Sequence, residues 1–338
     1  MLEVNDLNVR ITTERGIVKA VNGVSFTVKQ GQTVGIVGES GSGKSVLAKS
    51  IMRLNPEATT TYAKGDIIYQ DKHILQLTEK SMRSIRGNEI SMVFQDPMSS
   101  LNPVFTIGHQ LMEAIRTKRK TSRREAETKA IELLKDVGIQ DPVRRMREYP
   151  HQFSGGMLQR VLIAIALASK PKLLIADEPT TALDVTIQAQ ILNLFKNIQK
   201  KYGMAIIIIT HDLGVVANIA DQVLVMYSGK IVEQGETNDI FYNCSMPYTW
   251  SLLRAIPRFD TDHSERVLNI KGQPPNLLDL TTGCSFYPRC PFASEQCRIT
   301  TPPLKQVSKD HYVACLLSED EFKEKVKNMY VDTEGVMD

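Results

Sequence analysis

A glycine-rich stretch from Gly38 to Ser45 constrains this chain more than any other part of its sequence. It reads Gly-Glu-Ser-Gly-Ser-Gly-Lys-Ser and fits the pattern G-x-x-x-x-G-K-[ST] without a mismatch. An apolar, strand-like run from Thr33 to Val37 precedes it, and a helix-like run starts at Lys44. A strand, loop and helix in this order direct backbone amides and the positive end of a helix at an anion. The stretch therefore predicts a site for the phosphates of a nucleoside triphosphate.

The side chains of this loop have separate expected roles. The glycines allow backbone angles that other residues rarely adopt. Lys44 can reach the β- and γ-phosphates, and the Ser45 hydroxyl can ligate magnesium. The loop residues expected to contact the nucleotide are Gly38, Glu39, Ser40, Gly41, Ser42, Gly43, Lys44, Ser45 and Val46.

Length and composition limit the class of protein. The 338 residues suggest two or three domains, and a hydrophobic content of 42% with 23% charged residues is ordinary for a globular protein. A net charge of +3 is too small to indicate nucleic-acid binding by itself. The longest apolar run, Val161 to Ala168, is too short to span a membrane, and no leader-like segment follows Met1. We therefore expect a cytoplasmic protein with at most a peripheral membrane role.

The hydrophobic pattern predicts an α/β fold. Leu2 to Ile11 and Val21 to Val28 alternate apolar and polar residues, which is typical of antiparallel strands. Leu173 to Asp177, Ala205 to Thr210 and Val223 to Tyr227 are continuous apolar runs separated by helix-like segments, so they predict a parallel sheet covered on both faces. Residues 97–160 look helical and rich in basic side chains, which suit either a solvated face or a surface for anionic lipid.

Several polar residues follow these strands and suggest the chemistry. Asp177 ends an apolar strand, where it can hold magnesium opposite Ser45, and Glu178 can orient and deprotonate a water that attacks the γ-phosphate. His211 follows the next strand and Gln95 an earlier one. The carboxyl ends of parallel strands meet at one edge, so His211 should approach the γ-phosphate and Gln95 should face the metal.

A second candidate anion site begins at Ser154. Ser154 can cap a helix, and the following Gly155 and Gly156 leave the first amides open. One nucleotide hardly needs two such helix starts. The second site therefore suggests contact with a nucleotide held by another subunit.

In their order along the chain, these motifs resemble the ATPase domain of ABC transporters. The resemblance covers residues 1 to about 243, and Asp184, which follows Ala182-Leu183, belongs to it. It implies a P-loop ABC ATPase fold in which a mixed sheet carries an antiparallel β subdomain and a helical subdomain of about residues 97–160. It also implies a head-to-tail dimer in which Ser154 and Gly156 touch the partner's ATP and Asp184 links the two sites. Arg15 stands where many members carry an aromatic residue that stacks on adenine, and a guanidinium can also stack on a base.

A C-terminal module, residues 244–338, is predicted from a shift to a proline-rich, irregular composition. Pro247-Tyr248-Thr249 and the segment from Gly283 to Cys290 resemble the extension of oligopeptide and dipeptide importer ATPases. Four cysteines could ligate a four-iron four-sulfur cluster or zinc, or they could remain free thiols. The resemblance favours the iron–sulfur cluster. The four positions are Cys284, Cys290, Cys297 and Cys315.

The resemblance implies a subunit that hydrolyses ATP to power peptide import from the cytoplasmic face of the cell membrane. Its expected cofactors are ATP, magnesium and the iron–sulfur cluster. Its expected partners are a second homologous ATPase subunit, two transmembrane permease subunits and an extracytoplasmic peptide-binding protein, with no nucleic acid. Two alternatives are a soluble ABC ATPase that acts on nucleic acid or the ribosome, and an importer of nickel or metal chelates.

Overall fold

Two β-sheets and the helices packed on them form the part of the chain that the computed structural model describes, residues 1–118, 121–181, 183–255, 270–278 and 282–334. The strands are β1 (Leu2–Thr13), β2 (Gly16–Val28), β3 (Thr33–Val37), β4 (Thr60–Tyr69), β5 (Lys72–His73), β6 (Ile90–Val93), β7 (Leu173–Asp177), β8 (Ala205–Thr210), β9 (Gln222–Tyr227), β10 (Lys230–Glu236), β11 (Lys305–Ser308) and β12 (His311–Val313).

The helices are α1 (Lys44–Ile51), α2 (Glu79–Ile85), α3 (Pro97–Ser100), α4 (Ile107–Lys118), α5 (Arg123–Asp136), α6 (Pro142–Arg145), α7 (Gly155–Leu167), α8 (Val185–Tyr202), α9 (Leu213–Ile219), α10 (Thr237–Tyr242), α11 (Pro247–Arg254), α12 (Glu295–Ile299) and α13 (Glu319–Glu334). Short 3-10 helices lie at Ile74–Gln76, Pro150–Gln152 and Tyr287–Arg289.

The larger sheet has the order β11-β12-β10-β9-β3-β8-β7-β6 within the described residues. The last five strands in this order, from β9 to the edge strand β6, are parallel to one another. Every residue of β3, β7 and β8 is buried, as expected for a sheet covered by helices on both faces. The carboxyl ends of these strands meet at one edge, where the phosphate loop leaves β3.

A smaller antiparallel sheet, in the order β2-β1-β4-β5, shares a hydrophobic core with α1 and one face of the larger sheet. The inward residues of β1 alternate with exposed ones, and Leu2, Val4 and Val9 are fully buried in a cluster shared with α1 and the larger sheet. This confirms the alternation seen in the sequence. The sheet places the β1–β2 hairpin beside the phosphate loop.

Helices α3 to α7 follow one another along the chain from Pro97 to Leu167, and the helical subdomain of about residues 97–160 stays a prediction. Their apolar faces pack with those of α8 into one cluster that includes Leu111, Leu134, Val161 and Phe195. Ser122 and Glu125 form a reciprocal capping box at the start of α5, which explains why that helix begins there. No described helix is long and apolar enough to cross a membrane.

The C-terminal residues are more regular than their proline content suggested. Helix α11 begins at Pro247, a position that favours the first turn of a helix, and β11 and β12 extend the larger sheet next to β10. Phe286 and Val313 pack in one cluster with Tyr227 and Tyr248, so this segment shares a core with the central sheet. The proline content led to a prediction of irregular structure. It did not indicate β11 and β12, because composition carries no information about pairing with distant strands.

Candidate nucleotide-binding and hydrolysis site

A cleft of about 720 Å³ opens at the carboxyl edge of the parallel strands. The phosphate loop forms its floor, and residues following β6, β7 and β8 form one wall. The residues that line the cleft are Ile11, Val18, Ala20, Gly38, Glu39, Ser40, Gly41, Gly43, Lys44, Ser45, Val46, Gln95, Glu178, His211, Leu252 and Leu277. The sequence thus predicted the polar lining and Val46, whereas the other apolar contributors, Ile11, Val18, Ala20, Leu252 and Leu277, were not predicted.

The shape of the phosphate loop depends on two glycines. Gly38 has a φ of 151° and Gly43 a φ of 102°, in the region that side chains disfavour. A Cβ atom at Gly38 would lie 2.2 Å from the carbonyl oxygen of Met226, and one at Gly43 would lie 2.1 Å from that of Ala20. The loop therefore packs its backbone directly against two neighbouring strands, which holds it in a fixed place.

Lys44 is buried inside the loop. Its ammonium group donates hydrogen bonds of 2.8 Å to the carbonyl oxygens of both Gly38 and Glu39. Burial lowers the pKa of Lys44, and the nearby carboxylates of Glu178 and Asp177 oppose that effect. Backbone carbonyls therefore hold the ammonium group of Lys44 in place at the floor of the cleft.

Ser45 and Asp177 bring two oxygen ligands together below the loop. The Ser45 hydroxyl donates to Asp177 Oδ1 at 2.9 Å, and Asp177 is buried at the end of β7. Burial raises the pKa of Asp177, while the hydrogen bond from Ser45 and nearby lysines lower it. Hard oxygen ligands of this kind suit Mg²⁺, so the pair fits the predicted metal.

Glu178 is the centre of a small hydrogen-bond network. Its Oε2 atom accepts from Gln95 Nε2 at 3.0 Å and from Thr181 Oγ1 at 2.9 Å, and His211 Nδ1 lies 3.4 Å away. The Glu178 backbone has a φ of 49°, which is uncommon for a residue with a side chain. The structure therefore brings Gln95, Glu178 and His211 together as predicted, and adds Thr181, which sequence reasoning missed.

The second helix start lies away from the cleft. Ser154 caps α7 through a hydrogen bond from the Met157 amide, and Asp184 caps α8 through one from the Ile187 amide. Ser154, Gly155 and Asp184 are exposed, whereas Gly156 is buried. None of these four residues lines the cleft of its own chain. Their predicted contact with a partner's nucleotide stays a prediction.

Two family profiles match separate parts of the chain. A family profile described as "ABC transporter" matches residues 21–181, and one described as "Oligopeptide/dipeptide transporter, C-terminal region" matches residues 232–297. The chain is 50% identical over 313 residues to the oligopeptide transport ATP-binding protein OppD of Bacillus subtilis, covering 93% of this chain and 87% of OppD. It is 50% identical over 319 residues to the dipeptide transport ATP-binding protein DppD of the same species, covering 94% and 95%. The chain belongs to the ABC transporter ATP-binding proteins.

Solved structures agree with this membership. The dimeric ATP-binding cassette MJ0796 bound to ADP and Pi matches with a TM-score of 0.63 and 28% identity, over 70% of this chain and 99% of that one. CbiO1 of Clostridium perfringens, part of the ABC transporter complex cbiONQ, matches with a TM-score of 0.62 and 30% identity, over 71% and 90%. The expected P-loop ABC ATPase fold is therefore confirmed.

The C-terminal segment of this ABC protein also reaches the phosphate loop. Arg289 forms two hydrogen bonds to the Glu39 carboxylate, and the Tyr248 hydroxyl accepts one from the Glu39 amide at 2.9 Å. Leu252 and Leu277 line the cleft from the same segment. No motif indicated these contacts, because the residues lie more than 200 positions from the loop.

Arg15 lies in the exposed turn between β1 and β2 and is not among the residues that line the cleft. The lining near this hairpin comes from Ile11, Val18 and Ala20, together with Leu277. Arg15 as a stacking partner for the base stays a prediction.

The predicted iron–sulfur cluster requires correction. Within the described ranges, no group of three or more His, Cys, Asp or Glu side chains could hold a metal ion. The OppD and DppD relatives are named simply as ATP-binding proteins. Cys284, Cys290, Cys297 and Cys315 instead line a cavity of about 20 Å³.

The chemical state of these thiols gives a physical reason. Burial raises the pKa of Cys284 and Cys315, and it raises that of Cys290 to about 12. Metal ligation needs the thiolate, which this apolar setting disfavours. The four-iron four-sulfur prediction is wrong on these findings, and so is the zinc alternative. Cysteine count and spacing carried no information about burial.

Proposed function

We propose that this chain is the ATP-binding and hydrolysing subunit that powers peptide import by an ABC transporter. The observation that carries the proposal is the joining of the phosphate loop, the Ser45–Asp177 pair and the Glu178 network along one sheet edge. The peptide class is supported by the OppD and DppD relatives and by the match of residues 232–297. Residues 1–243 would form the ATPase domain and residues 244–338 its C-terminal extension.

Each residue of the cleft takes a distinct part in this proposal. The loop amides and Lys44 bind the phosphates, and Ser45 and Asp177 hold magnesium, with Gln95 beside them. The metal neutralises charge on the phosphate oxygens when bound. Glu178 accepts a proton from the water that attacks the γ-phosphate, because its carboxylate is already directed by Gln95 and Thr181. His211, beside the same oxygen, orients that water and the γ-phosphate.

Hydrolysis in this proposal takes place in a dimer. Ser154, Gly155 and Gly156 of one subunit contact the ATP held by the loop of the other, and Asp184 connects the two sites. The exposure of Ser154, Gly155 and Asp184, and the dimeric state of the related MJ0796 cassette, support this assembly. ATP drives transport by favouring the closed dimer over the open one.

An exposed apolar surface supports a membrane partner. Met98 and Val104 are 62% and 70% exposed, and Phe94 and Phe105, which belong to the same segment of the chain, are also exposed. A groove of about 440 Å³ opens next to Phe94. Apolar patches of this kind mark protein interfaces. We propose that the permease subunits dock here, which places the protein peripherally on the cytoplasmic face of the membrane, with a binding protein delivering peptide from outside.

Replacing Glu178 by Gln tests the hydrolytic assignment. In the assembled transporter, Glu178→Gln should bind ATP as the wild type does, yet turn it over about 100-fold or more slowly, because the general base is lost. The nucleotide-bound dimer should accumulate. The exposed Glu295 provides a matched control, and Glu295→Gln should leave turnover unchanged. Undiminished turnover in Glu178→Gln would remove the proposed base.

The substrate class is tested on the same complex. Stimulation of ATP turnover by peptides, in the presence of the binding protein, is the expected result. Stimulation by nickel or a metal chelate instead would identify the alternative cargo. Salt-sensitive RNA or DNA binding without membrane partners would identify the nucleic-acid alternative.

A further inference from the structure

Glu39, the second residue of the phosphate loop, is held from two sides by the C-terminal segment. Arg289 Nη1 lies 2.5 Å from Glu39 Oε2, and Arg289 Nη2 lies 2.8 Å from Glu39 Oε1. The Glu39 amide donates to the Tyr248 hydroxyl at 2.9 Å. The side chain and the backbone of one loop residue are therefore both fixed by residues far along the chain.

Arg289 is itself rigidly placed. Its side chain is only 5% exposed, its Nε donates to the Lys271 carbonyl at 3.0 Å, and its Nη1 also donates to the Tyr227 hydroxyl at 3.3 Å. The hydrogen bonds to Glu39 raise the pKa of Arg289 above its ordinary value. A planar guanidinium fixed in this way favours a bidentate carboxylate contact that lysine cannot reproduce.

The charge of Glu39 gives this contact a functional meaning. Glu39 lines the cleft that receives a triphosphate, which is a polyanion. A carboxylate without a partner at that position would repel the phosphates, since like charges in a partly buried cleft are poorly screened. Arg289 neutralises the carboxylate and holds it in a fixed position through two hydrogen bonds. Tyr248, packed against Tyr227 and Phe286, holds the backbone at the same residue.

We propose that Arg289 and Tyr248 are positioning residues for the phosphate loop, through which the C-terminal segment sets the affinity for ATP. The inference rests on the proposed function, because it needs this loop to bind nucleotide. It assigns a role in ATP binding to a part of the chain that lies outside the ATPase motifs. Its two components are neutralisation of Glu39 by Arg289 and fixation of the Glu39 amide by Tyr248.

A double-mutant comparison separates this role from simple structural support. Binding of a non-hydrolysable ATP analogue with Mg²⁺ is measured by titration calorimetry on the full chain. Arg289→Met should weaken binding about tenfold, the effect of losing a charge-assisted contact. Adding Glu39→Gln should recover at least about threefold of that loss, because the repelling charge is gone. The defect of Arg289→Met alone should also shrink as salt is raised.

The recovery of affinity in the double variant distinguishes a positioning role of Arg289 from simple structural support. If Arg289 merely supported the fold, removing its partner as well would leave binding as weak as in Arg289→Met, or weaker, and the proposal would be overturned. Arg289→Lys should restore affinity only in part. The control is Arg298→Met, which changes an exposed arginine of the same segment and should bind as the wild type does.

Tyr248→Phe tests the second contact without disturbing the packing. It should weaken binding by about threefold to tenfold, since one hydrogen bond to the loop is lost. It also serves if Arg289→Met fails to fold, which thermal unfolding would reveal. Unchanged affinity in Tyr248→Phe and Arg289→Met would refute the inference while leaving ATP binding intact. A wild-type chain that binds no nucleotide would instead refute the proposed function.

Discussion

The start of α7 offers a matched pair of substitutions at adjacent glycines. A Cβ atom at Gly156 would lie 2.7 Å from Ile187 Cγ2 of α8, closer than real contacts allow. A Cβ atom at Gly155 would lie 3.8 Å from Leu183 Cδ2, an ordinary contact. Neither glycine has a positive φ, so the difference between Gly156→Ala and Gly155→Ala is one of space.

The expected magnitude follows from that difference. Both substitutions gain helix propensity, at most about 1 kcal/mol, and this gain cancels when the two are compared. Overpacking costs about 1–3 kcal/mol. We therefore expect the free energy of unfolding of Gly156→Ala to be lower than that of Gly155→Ala by about 1–3 kcal/mol. The strained contact also separates α7 from α8, which displaces Ser154 relative to Asp184.

Urea unfolding of the two variants provides the measurement, with ATPase activity as the functional readout. Combining Gly156→Ala with Ile187→Ala should cost less than the sum of the two single changes, because the second removes the clashing methyl group. Equal unfolding midpoints for Gly155→Ala and Gly156→Ala would refute the reasoning. Additive costs in the double variant would refute it as well.

Three further outcomes are expected. Asp177→Asn should raise the unfolding temperature of the nucleotide-free protein near neutral pH, because burial raises the pKa of Asp177 and its ionisation opposes folding. The gain in unfolding temperature should disappear as the pH falls below about 4. No gain at neutral pH would contradict the argument. Thr181→Val removes a hydrogen-bond donor to Glu178, so kcat should fall about tenfold in steady-state ATPase assays while KM stays within about twofold. An unchanged kcat would show that Thr181 does not orient Glu178 for catalysis. Leu277→Asp places a charge in the apolar part of the cleft and should raise the KM for ATP by at least about fivefold, and an unaffected KM would show that nucleotide does not reach this wall.

The site was largely predictable because its residues mark the ends of strongly apolar strands. Asp177 and Thr210 end β7 and β8 where the sequence placed those ends. Continuous Leu, Ile and Val runs specify buried parallel strands, and parallel strands bring their carboxyl ends together. Gln95, Glu178 and His211 therefore met as predicted. Local sequence determines such elements with little help from distant residues.

The rest depended on distant contacts or burial, which local patterns do not encode. Thr181 joined the Glu178 network through a turn whose course cannot be read from its composition. Arg289 belongs to a short 3-10 helix, and its local sequence does not distinguish it from a surface arginine. Only the folded structure shows its contact with Glu39. The cysteine prediction was wrong for a different reason: the resemblance favoured a cluster, whereas burial raises the pKa of Cys284, Cys290 and Cys315 and disfavours their thiolates.

The contact between Glu39 and Arg289 joins residues 250 positions apart. During synthesis the phosphate loop leaves the ribosome long before the arginine that neutralises it exists. Contacts of such long sequence separation form late, because closing a long loop costs entropy before the contact repays it. A nascent chain that ends before Arg289 therefore carries a loop with an unneutralised Glu39, and full affinity for ATP arrives only after Arg289 has been synthesised.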